Sequence, residues 1–397
     1  MEKLFKKIIY SNNLLLMPIF YILVLLSYVY KFFIVKKRKK GYKAKFTENF
    51  IISIGNITFG GTGKTPLTIF LAKELAKRYK VSIIMRGYKG EYKNPHLVNV
   101  DNDSVDKVGD EAILISASTG LPVIISRNRA AGIRFANRSI KPDIIILDDA
   151  FQHFAVKRDI NIVLIDYNNP FGNGRLLPAG ILREPVAALK DADYVLITKY
   201  EKETKGAVGI SDLIAQVKRV NSKAKIFKTG YMLDSIYLNG KRENIKKYVN
   251  RKIISVSGIG NPQYFEFMVK KYFKPTQFTS LRFSDHIHYK KNKIQKILKL
   301  MNGYEFVTGI NRLSFPRRRE SHKSINMSQN RDSCIRRNDR KVIYQSKREI
   351  PEFVVTTEKD YVKLKKFNIQ PLLVMKIKFN IINKNFLQSI INDIKNN

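Results

Sequence analysis

Cysteine is almost missing: Cys334 stands alone among 397 residues. One thiol excludes an intramolecular disulfide and any metal centre built from cysteines. Histidine is sparse too, at His96, His153, His286, His288 and His322. Acidic residues are few, 33 against 73 Lys and Arg, which leaves a formal charge of +40. Nucleic acid, an anionic membrane surface or an anionic substrate could each answer such a charge. The chain is also rich in Lys, Asn and Ile throughout, as a biased genome would make it, so charge alone selects no function. Hydrophobic content, 44%, is that of an ordinary globular protein, and the length suits one large α/β domain or two smaller ones.

One apolar run is long. Leu14 to Val35 reads LLLMPIFYILVLLSYVYKFFIV, with Lys31 its single charge. About 20 apolar residues cross a ~30 Å hydrocarbon core, so the run is long enough. The KKRKK that follows, Lys36 to Lys40, should stay cytoplasmic by the positive-inside rule. No small-residue cleavage site follows, which argues against a cleaved signal peptide. A helix lying on the bilayer competes with a spanning one, because Pro18 interrupts the run and Lys3, Lys6 and Lys7 precede it. On either reading the segment is a membrane anchor that should be separable from the catalytic fold, since the first sheet strand begins after it.

From Phe50 onward, β-rich runs alternate with helical patterns. Phe50–Ile54, Val81–Met85, Pro122–Ile125, Asp143–Leu147, Ile160–Ile165 and Tyr194–Ile197 are nearly continuous in Val, Ile and Leu. Such runs predict strands buried on both faces, hence a mostly parallel sheet flanked by helices. Gly230–Lys252 is polar and basic and reads as a link to a second, smaller α/β lobe. Strands are expected there at Ile253–Ser257, Phe353–Thr356 and Leu372–Ile377. The expected division is an anchor at 1–40, a P-loop core at 41–230 and the second lobe at 231–397. Residues 312–341 are dense in arginine where lysine dominates elsewhere, and they lack apolar periodicity. They read as an inserted, disordered loop, with an RNA-binding arm as the sharper alternative.

The strongest motif is SIGNITFGGTGKTP, Ser53 to Pro66. It follows a predicted strand and opens a predicted helix, Lys64 to Tyr79, the setting a phosphate-binding loop requires. Gly60, Gly61 and Gly63 let the backbone of Thr58, Phe59 and Thr62 curl so that N–H groups face phosphate oxygens. Lys64 would reach the β- and γ-phosphates of ATP, and the Thr65 hydroxyl would hold Mg²⁺. The strict pattern wants glycine where Thr58 stands. Phe59 occupies the place of the signature lysine of partition and cell-division ATPases, which argues against that branch.

PDIIILDDAFQH, Pro142 to His153, is an apolar strand ending in Asp148 and Asp149. Ligands of open α/β sheets bind at the C-terminal ends of strands, so this pair should face the loop and bind Mg²⁺. Gln152 and His153 follow as further contact candidates. Asp110, in VGDE at a predicted helix start, is by itself as well explained as a cap. Ser284-Asp285-His286 is equally weak alone.

Together these pieces resemble the tetraacyldisaccharide 4′-kinase family. The resemblance runs through GNITFGGTGKTP, RGYKG at 86–90, GDEA at 109–112, DDAFQH at 148–153 and RDINIVLID at 158–166. It continues through FGNGRLLPAGILREP at 171–185, SDH at 284–286 and TTEKD at 356–360. FGNGRLLPAGILREP beside DDAFQH is its most specific mark. It covers the chain outside the insert, which falls between SDH and TTEKD, and the family's own loop accommodates Thr58. The resemblance implies transfer of the ATP γ-phosphate to the 4′-hydroxyl of an acylated glucosamine disaccharide phosphate, giving lipid IVA. It also implies an enzyme on the cytoplasmic face of the inner membrane, in contact with its lipid. By position, Asp110 would be the catalytic base and His286 its dyad partner. Arg183 in LREP suits the transferring phosphoryl group, because a guanidinium fork matches phosphate oxygens.

Two other classes compete. A membrane-bound P-loop NTPase switch would need no lipid acceptor. A nucleic-acid binder rests on charge and the insert alone and has no recognisable module, so no nucleic acid is expected.

Overall fold

A computed structural model describes residues 16–41, 48–88, 90–92, 94–201, 208–284, 287, 289–301, 351–367, 369–383 and 385–396. The arginine-rich stretch 312–341 lies outside the described residues, as do Asp285, His286 and His288.

Among the described residues the strands form one 13-stranded sheet. Its first half contains β1 (Phe50–Asn56), β2 (Val81–Met85), β3 (His96–Leu97), β4 (Val123–Ile125), β5 (Ile144–Leu147), β6 (Ile160–Asp166) and β7 (Tyr194–Thr198). All pair in parallel except the short edge strand β3. The near-continuous apolar runs thus become interior strands, with Ile51, Ile52, Ile145, Ile146, Val163 and Leu196 inaccessible to solvent. At the conservative ~25 cal/mol per Å² of apolar surface removed from water, each such side chain contributes about 2 kcal/mol.

The stretch Gly230–Lys252, expected as a linker, is structured differently. Residue 230 lies inside β8 (Lys225–Leu238), a 14-residue strand. Its first residues pair in parallel with β7 and the rest run antiparallel to β13 (Leu372–Ile381). β9 (Lys241–Glu243) folds back on it as a hairpin. Beyond β13 the parallel set resumes through β12 (Phe353–Thr357), β10 (Lys252–Ser257) and β11 (Gln277–Arg282). The two lobes therefore share one sheet, and the division expected at 230/231 falls within the strand that joins them.

Helix α1 (Met17–Gly41) carries the long apolar run. Most of its bulky side chains are exposed, among them Tyr21, Ile22, Leu25, Phe32 and Phe33. One stripe is not. Arg175 lies over the Phe20 ring at 5.6 Å, and Tyr30 donates from its hydroxyl to the Arg183 carbonyl at 3.0 Å. Arg38 pairs with Glu184 at 2.7 Å and with Asp191 at 2.9 Å, its guanidinium resting over Phe151 and Phe154. Positions 20, 30 and 38 span roughly 27 Å at 1.5 Å per residue, so the helix lies along the catalytic fold. This packing bears on the expectation of a separable anchor: the last turn of α1 supplies the counter-charge of a carboxylate buried in the core.

The remaining helices include α2 (Lys64–Leu75), α3 (Val105–Val108), α4 (Asp110–Thr119), α5 (Arg129–Ser139), α6 (Ile210–Val220) and α7 (Pro262–Phe273). They continue with α8 (Lys291–Met301), α9 (Glu358–Leu364) and α10 (Phe386–Lys395). The helix expected to reach Tyr79 ends at Leu75.

Candidate active site

The loop from β1 to α2 turns on Gly63, whose φ of 95° favours glycine. A Cβ there would also collide with the Tyr231 hydroxyl, so this wall of the loop has no room for a side chain. No side chain caps the start of α2. Its first N–H groups and the positive end of the helix are thus left to an anion. Asn56 steadies the loop from the end of β1, donating to the Thr62 hydroxyl at 3.0 Å and accepting from Lys64 at 3.4 Å. Gln152 donates to the Asn56 carbonyl at 2.8 Å, so it supports the loop from below.

Asp148 and Asp149 end up in different surroundings. Asp148 is buried and accepts from the hydroxyl of Thr68, one turn along α2 from Lys64, at 2.8 Å. Burial first, then the charges of Glu111 and Asp149, push its carboxyl up to about 7. Asp149 takes a positive φ of 46° and turns toward the loop. Its carboxylate meets Lys64 at 3.4 Å and the Arg183 guanidinium at 3.1 and 3.2 Å. Burial works to raise that carboxyl, but Lys64 and Arg183 outweigh it and hold it at about 2. His153 is held neutral: burial and then Arg129 lower it to about 4.

The LREP segment reaches this place through backbone bonds. Phe59 N–H donates to the Ile181 carbonyl at 2.6 Å, and Arg183 N–H donates to the Ile57 carbonyl at 2.7 Å. FGNGRLLPAGILREP is therefore a strap laid against the phosphate loop, and it delivers Arg183 beside the exposed Phe59 ring at 5.7 Å.

Asp110 opens α4 behind Gly109, whose φ of 92° and close approach to the Tyr88 carbonyl explain the GD pair and tie it to the RGYKG loop. Asp110 is buried and meets Lys363 of α9 at 2.6 Å. Glu111 pairs with Lys359 at 3.1 Å. The expected meeting of Asp110 with His286 lies outside the described residues.

Sequence reasoning passed over Lys199, which follows β7. Its buried ammonium donates to the Gly61 carbonyl and, at 2.5 Å, to Asp166 at the end of β6. Thr198 donates to the Thr62 carbonyl at 2.8 Å. Asn261, capping α7 in the second lobe, donates to Asp166 at 3.2 Å. The strand-end rule that selected Asp148 would have selected Lys199 as well.

As a magnesium site, Thr65, Asp148 and Asp149 are hard oxygen donors of the right kind. Among the described residues no group of three or more His, Cys, Asp and Glu side chains could hold a metal unaided. That suits Mg²⁺, which takes few protein ligands and completes its shell with phosphate oxygens and water.

A family model for tetraacyldisaccharide-1-P 4′-kinase matches residues 19–309. A tetraacyldisaccharide 4′-kinase of Halothermothrix orenii is 35% identical over 307 residues, 71% of this chain and 78% of that protein. One from Haemophilus influenzae is 34% identical over 248 residues, 62% of this chain and 68% of its own length. The crystal structure of LpxK from Aquifex aeolicus in complex with ATP shares the fold. Its TM-score is 0.63 at 24% identity, covering 93% of this chain and 97% of that one.

Proposed function

Since the chain belongs to the tetraacyldisaccharide-1-P 4′-kinase family, we propose that the site just described moves the γ-phosphate of ATP to the 4′-hydroxyl of an acylated glucosamine disaccharide 1-phosphate. The protein is thus a phosphotransferase of lipid A biosynthesis. The observation that carries the reading is the convergence of Lys64 and Arg183 on Asp149. One cation comes from the phosphate loop, the other from the strap. Two cations at a strand end, beside a helix start with no cap, make a site for a polyphosphate.

In this reading the backbone of residues 58–63 cradles the phosphates and Lys64 clamps them. Thr65, Asp148 and Asp149 would hold Mg²⁺, which neutralises phosphate charge when bound. As nucleotide arrives, Arg183 exchanges its bond to Asp149 for the transferring phosphoryl oxygens. The acceptor hydroxyl gives its proton to Asp110, its oxygen bonds the γ-phosphorus, and ADP leaves. His286 is the partner proposed for Asp110. Phosphoryl transfer asks chiefly for positioning and charge neutralisation, and these residues are of the types that supply them.

We infer that α1 lies on the inner membrane from the cytoplasmic side. Its contacts with the catalytic fold at Phe20, Tyr30 and Arg38 support a lateral arrangement, with the apolar remainder turned to lipid. A shared plane raises the effective concentration of a lipid acceptor.

The test is incubation of the protein with γ-labelled ATP, Mg²⁺ and the disaccharide 1-phosphate in mixed micelles. Label should appear in a bisphosphorylated lipid. ATP turnover indifferent to the acceptor would replace this reading with that of a nucleotide switch.

A further inference from the structure

The TTEKD motif, residues 356–360, ends β12 and opens α9. In the structure Thr357 and Asp360 cap α9 on each other: Asp360 N–H donates to the Thr357 hydroxyl at 3.1 Å, and that hydroxyl lies 2.8 Å from the Asp360 carboxylate. The same carboxylate, wholly buried, accepts from Gly258 N–H at 2.9 Å and from the Tyr289 hydroxyl at 2.9 Å. Asp360 thereby pins α9 to the end of β10 and to the segment leading into α8. Ser284 and Ile287 lie against Gly258 at the same place.

Pinned in this way, α9 presents two lysines to the start of α4 in the other lobe. Lys359 meets Glu111 at 3.1 Å and Lys363 meets Asp110 at 2.6 Å. The second pair is almost dry, the two side chains being 8% and 5% exposed. A buried ion pair is a poor way to stabilise a fold, because an apolar pair of similar volume does as well or better. Its retention here calls for another reason. Glu111, the next residue on α4, is near enough to Asp148 for its charge to raise that carboxyl, so the start of α4 borders the phosphate site. A proton acceptor needs a fixed position, and the Asp110 carboxylate is held from two sides, by the Lys363 ammonium and by the Glu111 N–H, which donates to it at 3.1 Å.

We propose that Lys363 is a positioning residue for the transfer reaction: its ammonium, carried in from the second lobe, holds the Asp110 carboxylate in place as the proton acceptor. This rests on the role given to Asp110 above. Late proton transfer in a loose transition state demands a correctly placed acceptor more than a strong one. The arrangement also makes the base depend on contact between the lobes.

The test uses the full chain with lipid acceptor, and compares Lys363→Met, Lys363→Arg, Asp110→Asn and the double variant Asp110→Asn/Lys363→Met. Lys363→Met should lower kcat about 10- to 100-fold, part of what loss of a general base costs, with KM for ATP within about twofold. Lys363→Arg should restore most of the rate. The double variant should turn over no more slowly than Asp110→Asn, because a unit already broken is not broken twice. Should Lys363→Met not fold, Lys363→Gln replaces it. Wild-type kcat in either variant, or losses that multiply in the double variant, would overturn the role of Lys363 while leaving that of Asp110. Wild-type turnover by Asp110→Asn would instead remove the base itself.

Discussion

Arg38, in the last turn of the apolar helix, donates to the carboxylate of Glu184 at 2.7 Å, and Glu184 has no exposure to solvent. The neighbouring Arg183 holds Asp149, which meets Lys64, so three polar contacts link the apolar helix to the phosphate loop. Arg38→Met should leave Glu184 as a buried, unpaired charge and lower stability by about 3 kcal/mol at neutral pH. The sign of its pH dependence follows. Burial already raises the Glu184 carboxyl, and Arg38 opposes that rise. Without Arg38 it climbs further above its unfolded value, so the folded variant binds the extra proton. Folded-state stability then grows as pH falls through that raised value. The gap in Tm between Arg38→Met and wild type should be smaller at pH 5.5 than at pH 8. A gap of the same size at both would mean that Glu184 does not titrate.

Two truncations separate anchoring from folding. Removal of residues 1–40 takes Arg38 away and should give a destabilised protein with low turnover even on detergent-dispersed acceptor. Removal of residues 1–28 keeps Tyr30 and Arg38 on a helical stub. That protein should keep a near-wild-type Tm and lose activity chiefly on vesicle-embedded acceptor. Equal thermal stability of the two truncations would show that the last turn of α1 contributes nothing to the core.

The parts of the fold that could be read from the sequence are those where local composition and tertiary role coincide. Ile144–Leu147 is apolar throughout, and Val81–Met85 apolar but for the buried Ser82, because both their faces are covered. β11 escaped notice because it is an edge strand, and its sequence, QFTSLR, is accordingly mixed. β8 escaped because one strand serves two halves of the sheet and carries Lys228, Thr229, Asp234 and Ser235 along its length. The site divides in the same way. Residues 58–65 and Asp148-Asp149 are contiguous motifs whose chemistry is written into neighbouring positions. Arg38 with Glu184 and Lys363 with Asp110 are pairs made only by tertiary packing. No periodicity announces such a pair.

Lys199 should matter to nucleotide binding through the loop it holds. Its ammonium joins the Gly61 carbonyl to Asp166, which also receives Asn261 from the second lobe. Lys199→Met leaves Asp166 buried without its cation, at a cost of about 3 kcal/mol, and frees the loop to move. KM for ATP should rise more than kcat falls, since a displaced cradle weakens ground and transition states alike. Asp166→Asn should show the same pattern in milder form, because Lys199 keeps its carbonyl partner. An unchanged KM in a folded Lys199→Met protein would confine the residue to a structural role.

Arg183 offers the sharpest test of the chemistry. Its guanidinium is bonded to both Asp149 oxygens, and Lys64 shares one of them. If Arg183 serves the transferring phosphoryl group, its contribution is realised mainly in the transition state, as charge spreads over the equatorial oxygens. Arg183→Ala should then lower kcat by about 10²–10³-fold, the range for loss of one oriented donor, while KM for ATP changes little. Arg183→Lys keeps the charge but not the planar fork, so it should recover only part of the rate. Stability should barely respond, because Asp149 keeps Lys64 and is 38% exposed. Suppose instead that KM rises with kcat intact. Arg183 would then be a ground-state phosphate ligand, and the cation for the transition state would have to be Lys64 alone. Loss of both parameters with a lowered Tm would point to the strap, since the Arg183 backbone is itself bonded to the Ile57 carbonyl. The Tm measured beside the kinetics therefore decides whether the side chain or the loop is being tested.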